Sequence, residues 1–383
     1  MKTVKQCENG AKVSIMHFSK IPNLLFSTTR SWNCGDDFIL FGVRNLVKDI
    51  IPEFNSIIYN RNPELHSFRT YNSGIKMNVQ TSQGQLQEID LSKQLCGRTW
   101  LMDNSWRPQH DLSLIDYCIF AGTPEWLGTK VEPLVQCLIQ DDTPVAYLGV
   151  GIFEGTRSAP FENLPRQDQV LLKKARLVTT RDADCLKLLE PVNAIQLPCP
   201  ALFAADHERQ RTEKQRIALS TQGTLPGNGQ RIDQETLDYS VNLFRTLAEL
   251  YNCTLVCHYI DEMYQLQPLL GDVIHIVYSY DAQDYIDLYD KFDLLVTTRV
   301  HGAGLCASLG IPSIVLSHSA RSDTAAGFLA DLVQIETVEV DGLVKQIAQL
   351  DIQERSKALL SHKEENRQRY LDLLEHFFDQ PVR

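Results

Sequence analysis

Asp293-Leu-Leu-Val-Thr-Thr-Arg-Val-His-Gly-Ala-Gly-Leu-Cys-Ala-Ser-Leu-Gly-Ile-Pro-Ser-Ile-Val-Leu-Ser317 is the stretch that decides the fold. A short apolar run (Leu294 to Val296) ends in Arg299 and His301. Small residues follow from Gly302 and stop at Gly310, before Ile311-Pro312. A second apolar run spans Ser313 to Leu316. This order reads as strand, turn, helix, turn, strand, the unit of a parallel sheet. Open α/β sheets bind ligands at the carboxyl ends of their strands. Here that position offers a guanidinium, an imidazole and N–H groups at a helix start, near Gly302–Ala303, which together suit an anion.

The same alternation extends in both directions. Strands are predicted at Val13–Phe18, Ser56–Tyr59, Leu114–Phe120, Pro144–Val150, Leu177–Thr180 and Ala194–Leu197. After a polar stretch near 205–215 come Arg216–Ser220, Thr254–His258, Val273–Tyr278, Leu294–Thr297 and Ser313–Leu316. Helical periodicity lies between them, as in Gln234–Tyr251, where Leu237, Val241, Phe244, Leu247, Ala248 and Tyr251 recur at three- and four-residue steps. Two such blocks in 383 residues predict an α/β fold of two Rossmann-like, doubly wound domains facing across a cleft. The expected division is 1–205, with a polar, irregular insertion at about 61–98, then 206–350, then a C-terminal helix within 351–383 packing back across the junction. The basic run Arg209-Gln-Arg-Thr-Glu-Lys214 is interleaved with acid and reads as a solvated linker.

Composition limits the function. Lys and Arg number 37 against 48 Asp and Glu, a net charge of −11, so there is no electrostatic footprint for nucleic acid. No apolar stretch approaches the roughly 18–20 residues of a membrane span. The polar N-terminus has no apolar signal core, and the ten cysteines are scattered, several inside apolar runs. Both features suit a reducing, cytoplasmic location. Cys253 and Cys257 lack zinc-knuckle spacing, and no metal cluster is expected.

Three strand ends carry the chemistry. Arg299 and His301 read as an anion site, against the plainer alternative that Arg299 pairs with a carboxylate such as Asp293 and His301 caps a helix. In Asn33-Cys-Gly-Asp-Asp37, Asn33 or Gly35 suits an N-cap, and Asp36 and Asp37 suit a first helical turn. Asp36 suits a general base facing the cleft equally well. In Thr179-Thr-Arg-Asp182, Asp182 reads as a cap and Arg181 as a second anion ligand. Gly122 and Gly151 follow strands and permit close ligand approach. His318 and Arg321 follow the last strand of the opening stretch and can reach the same pocket.

Taken in order, Asn33-x-Gly-Asp36, Gly149-x-Gly151, Arg181-Asp182 and Arg299-Val-His301 with Gly310-Ile-Pro312 resemble the polysaccharide pyruvyltransferase family, from about Asn33 to Ser317. The chain departs from that family's pattern at Ala121-Gly-Thr123, Gly149-Val-Gly151, Cys185 and Cys199-Pro-Ala201. The resemblance implies a fold like the GT-B glycosyltransferases. It also implies transfer of pyruvate from phosphoenolpyruvate to a sugar, glycan or lipid-linked sugar as a ketal, with no cofactor. The C-terminal domain would then hold the donor and the N-terminal domain the acceptor. Arg181 and Arg299 would clamp the donor, His301 would be the acid and Asp36 the base, and Asn33, Gly35, Gly122, Gly151, Gly302, His318 and Arg321 would line the site. A GT-B glycosyltransferase using a nucleotide sugar and a non-catalytic anion-binding relative are the alternatives. Self-association into a homo-oligomer is left open.

Overall fold

A computed structural model describes residues 2–6, 12–16, 18–28, 33–60, 76–80, 86–90, 114–122, 132–152, 159–224, 232–279 and 281–379. Two six-stranded sheets, parallel throughout, form the body. The first is built from β3 (Asn23–Thr28), β4 (Asn55–Asn60), β7 (Tyr117–Ala121), β8 (Val145–Val150), β9 (Leu177–Thr180) and β10 (Ile195–Gln196), in the order β10-β9-β8-β7-β3-β4. The second holds β11 (Arg216–Ser220), β12 (Asn252–Cys257), β13 (His275–Tyr278), β14 (Leu294–Thr297), β15 (Ser313–Ser317) and β16 (Asp331–Gln334), in the order β13-β12-β11-β14-β15-β16. Strand direction across the second sheet follows the dinucleotide-fold order 3-2-1-4-5-6. Each sheet reverses order once, between β3 and β7 and between β11 and β14, which sets a ligand-binding crevice at each point. The inner strands are continuous apolar runs because helices cover both faces. Every residue of β7, β8, β14 and β15 is buried.

The predicted strand Val13–Phe18 is corrected. β2 (Lys12–Met16) pairs antiparallel with β1 (Lys2–Gln6), outside the main sheet, and the first parallel strand is β3. The run Leu24–Phe26 was overlooked because Ser27 and Thr28 made it look polar, yet both are fully buried. β16 was also missed, as a short edge strand with polar ends. Within 61–98, the described residues form an antiparallel hairpin of β5 (Lys76–Gln80) and β6 (Leu86–Asp90); the rest lies outside the described residues. The basic run at 209–214 is solvated at Arg209, Gln210, Thr212 and Glu213 but anchored at two positions. Arg211 is 2% exposed and ion-paired with Asp290 at 2.6 Å, and Lys214 donates to the carbonyls of Ile347, Ala348 and Leu350.

One apolar cluster runs from Leu24, Phe26 and Ile119 of the first sheet through Phe38, Phe203 and Leu305 of the covering helices and turns to Val315 of the second sheet. The 28-residue helix Ile352–Asp379 belongs to it through Tyr370, Leu374, Phe377 and Phe378. Tyr370 donates to the Pro198 carbonyl at 2.8 Å, and Tyr117 donates to that of Phe378. Arg367 pairs with Asp49. At the other end of the contact, buried Lys363 donates to the Ser308 carbonyl at 2.7 Å and pairs with Glu208. Ser308 closes the helix Val300–Ser308, so a cation sits at its negative end. Among the described residues, no helix is long and apolar enough to cross a membrane.

Candidate functional site

Strand ends of both sheets converge on a cavity of about 780 Å³ between them. From the first sheet, the loop after β3 ends at Asn33, the N-cap of the helix Cys34–Ile50. Its Oδ1 accepts from the Gly35 N–H at 3.2 Å and from the Tyr259 hydroxyl at 2.5 Å, the second bond crossing from one half of the molecule to the other. After β9, Asp182 caps a short helix by accepting from Cys185 N–H, and it also accepts from Ile152 N–H. That settles it as a cap and leaves Arg181 facing the cavity. From the second sheet come Gln222, His258, Thr298 to His301, and His318 with Arg321.

Arg299 is 6% exposed. Its guanidinium pairs with Glu262 and lies 4.5 Å from the centre of the Tyr259 ring. Glu262 in turn accepts from the N–H groups of His258 and Tyr259. The expectation that Arg299 meets a carboxylate is right in kind and wrong in partner. Asp293 pairs instead with Arg216 and accepts from the Arg216 N–H at 3.0 Å.

Arg181 differs. Its Nη1 lies 3.3 Å from His301 Nε2 and 3.8 Å from Cys199 Sγ, and its buried Nε has no hydrogen-bond partner. No carboxylate pairs with it among the described residues. The contact with His301 fixes a protonation state: a guanidinium only donates, so Nε2 must present its lone pair. His301 is therefore neutral in the empty site. Burial pushes its pKa well below the ordinary imidazole value, and Arg181, Arg321, His258 and Arg299 push the same way.

Of the residues singled out from sequence, Asn33, Gly35, Arg181, Arg299, His301, His318 and Arg321 line this one cavity. Gly151 packs against the Arg181 side chain, Gly302 against the His258 ring, and Gly122 (φ +80°) against Ile39. These three sit behind the lining. So does Asp36, buried in the first helical turn, where its charge acts on Arg181. Its neighbour Asp37 has its pKa raised well above the carboxylate range, first by burial and then by Asp36 and Asp281. The Ala303 N–H bonds to the Arg299 carbonyl, which takes it out of the pair expected to serve an anion.

His258, Tyr259 and Glu262 were missed. The signal was present, since His258 follows β12 as Arg299 follows β14, at a strand end entering a helix. His258 Nε2 lies 2.7 Å from the Tyr289 hydroxyl, and its pKa is well below the ordinary value through burial and then Arg299.

Comparison with solved structures finds a putative UDP-N-acetylglucosamine 2-epimerase from Listeria monocytogenes, 13% identical over 95% of this chain and 98% of that one, with a TM-score of 0.54. A second UDP-N-acetylglucosamine 2-epimerase is 14% identical over 95% and 99% of the two chains, with a TM-score of 0.52. At such identities the likeness shows the fold alone: two Rossmann-like domains facing across a cleft, as in GT-B enzymes. Comparison with curated proteins gives no match. The family model for polysaccharide pyruvyl transferase matches residues 33–320 and takes in every strand end that lines the cavity. This chain belongs to the polysaccharide pyruvyl transferase family, and is a transferase.

Proposed function

We propose that the chain moves the pyruvyl group of phosphoenolpyruvate onto two hydroxyls of a sugar or glycan precursor, forming a ketal and releasing phosphate. One observation carries this reading: Arg181 is a half-buried guanidinium, its Nε buried and unpartnered, without a carboxylate partner among the described residues, and it rests on the imidazole of His301 in the cavity. A cation partly removed from water in this way calls for an anionic ligand. Phosphoenolpyruvate brings a carboxylate and a phosphate, the latter carrying roughly −1.5 to −2 charges near neutral pH.

The donor's anion draws the Arg181 N–H groups away from His301 and offsets the cations that keep the imidazole neutral. Nε2 then takes up a proton and faces the donor as an imidazolium. It gives that proton to the methylene carbon, C3, and C2 becomes oxocarbenium-like. One acceptor hydroxyl attacks C2, phosphate departs with its bonding pair, and the second hydroxyl closes the ring. Arg181 and Arg321 balance the charge of the leaving group. Arg299, already paired with Glu262, holds the wall of the cavity and the start of the Val300 helix. Asn33 has both Oδ1 bonds satisfied, so its amide N–H groups are the ones turned to a ligand.

The test is phosphate release from phosphoenolpyruvate across a panel of hexosides, beside thermal-shift measurements with phosphoenolpyruvate and with uridine, guanosine and cytidine diphosphate sugars. Stabilisation and turnover with phosphoenolpyruvate support the reading. Stabilisation by a nucleotide sugar alone sinks it in favour of a glycosyltransferase. Binding of phosphoenolpyruvate without turnover on any acceptor would instead point to an anion-binding relative.

A further inference from the structure

Ketal formation moves more protons than one histidine can handle in a single pass. C3 gains a proton, the first hydroxyl loses one as its oxygen attacks C2, and the second loses one on ring closure. His301 is committed to C3 in the reading above. Its other nitrogen sits against Gly35, where a Cβ would stand only 2.6 Å from Nδ1. Asp36 is buried and is not among the residues that line the cavity.

Two further imidazoles line the cavity, His258 and His318, and the second is hydrogen-bonded to the Thr298 backbone. His258 is 4% exposed and held in an aromatic cage, edge-on to Phe38, Tyr285 and Tyr289 with ring centroids 5.8, 5.3 and 5.9 Å away. Its Nε2 is tied to the Tyr289 hydroxyl, and its backbone N–H is held by Glu262. Nδ1 has no hydrogen-bond partner among the described residues and is not among the buried unpartnered atoms, so it is open to the cavity. Gly302 keeps that ring close to the site helix: a Cβ there would stand 3.1 Å from His258 Cε1. The groups facing it are Arg299 and His301 from the site helix, Glu262 on its own loop, Tyr285 and Tyr289 from the helix Asp284–Tyr289, and Cys34, whose thiol donates to its carbonyl. Burial, and then Arg299, keep it unprotonated near neutral pH, the form a base requires.

We propose that His258 is the general base for the acceptor, taking the proton of the attacking hydroxyl on Nδ1 while Nε2–H donates to the Tyr289 oxygen. This rests on the pyruvyl-transfer reading. The oxygen–C2 bond forms as the hydroxyl O–H bond breaks, and that proton goes to His258. C3 takes its proton from His301. The C2–oxygen bond to phosphate then breaks, with the electron pair leaving on phosphate. The second hydroxyl oxygen bonds to C2 and returns a proton to His301. The proton on His258 leaves with phosphate. Donor and diol thus give ketal and hydrogen phosphate, and both imidazoles recover their starting states.

The pH dependence of phosphate release from phosphoenolpyruvate separates the two histidines, with methyl hexosides as acceptors. A base and an acid give a bell: His258 sets the acid limb and donor-bound His301 the basic limb. His258→Gln should lower kcat by about 10²–10⁴-fold and remove the acid limb, while the basic limb and the Kd for phosphoenolpyruvate stay. Tyr289→Phe removes an acceptor that favours the imidazolium, so its acid limb should move to lower pH. An unchanged acid limb in His258→Gln overturns the assignment alone. Should that variant melt early, an unmoved limb in Tyr289→Phe overturns it as well. Absence of phosphate release by the unaltered chain with every acceptor overturns the pyruvyl-transfer reading, and this assignment with it.

Discussion

Gly35→Ala tests the placement of His301 with a single methyl group. The added Cβ would stand 2.6 Å from His301 Nδ1 and 3.1 Å from its Cβ and Cγ. Carbon contacts are comfortable at about 3.5–4.0 Å, so the ring must retreat by roughly 1 Å. Since two of the three crowded atoms lie at the root of the side chain, a rotamer change alone does not relieve the contact. Retreat also disturbs the 3.3 Å contact between Nε2 and Arg181. A misplacement of about 1 Å at a reacting group costs on the order of 10²-fold in rate. The backbone effect runs the other way: Gly35 lies in the first turn of a helix, where alanine is favoured by up to about 1 kcal/mol. The expected outcome is a melting temperature within a few degrees of the parent and kcat/KM down by about 10²-fold, read by phosphate release. Gly42→Ala is the contrast. Its Cβ would run into the Pro200 carbonyl, which is backbone and cannot swing aside, so it should lose stability first. Parental turnover in a well-folded Gly35→Ala would refute the placement of His301 at the reacting carbon.

Three further outcomes are expected. Calorimetry of phosphoenolpyruvate binding in buffers of different ionisation enthalpy should show proton uptake near neutral pH, lost in His301→Asn; binding with no uptake in the parent would contradict the exchange of Arg181 from imidazole to anion. Stability should fall on acidification, because His258 and His301 are held below their ordinary range in the folded chain. Below about pH 6.5 the unfolded chain binds the extra protons, so each histidine removes up to ~1.4 kcal/mol per pH unit until its folded pKa is passed. Melting temperature should therefore drop from about pH 6.5 downward, less steeply in His258→Gln, and equal slopes would count against a buried neutral His258. Lys363→Met leaves the Ser308 carbonyl without its donor and should cost about 1–3 kcal/mol in denaturant unfolding. A loss below about 0.5 kcal/mol would show that water replaces the ammonium.

How far the sequence reaches depends on whether a signal is local. The β14–β15 unit is local: apolar run, strand-end polar pair, small residues, Gly310 and a second apolar run fall in order, and the structure reproduces them. The helix after Asn33 was equally plain, because its cap and first-turn acids are adjacent. β3 was lost because burial of Ser27 and Thr28 is decided by the helices on either side, which no window of sequence contains. The Arg299–Glu262 pair joins two strand ends that only the β12-β11-β14 order brings together, so the nearer Asp293 looked like the better partner. Arg181 and His301 are 120 positions apart, and each was legible singly as a strand-end residue. Their contact, which sets the charge of the imidazole, was not.

The last helix has a consequence for how the protein is made. Both sheets are complete by Gln334, but Tyr370, Phe377 and Phe378, which cover the first sheet, and Lys363, which caps the site helix, come afterwards. Nascent chains emerge at about 5–20 residues per second and fold from the N-terminus. Until that helix has emerged, two finished sheets share an uncovered apolar seam. A chain truncated before Ile352 keeps every residue that lines the cavity and loses the element that binds the halves behind it. Such a product should be a client for chaperones rather than an enzyme, and activity would begin only once that helix has docked.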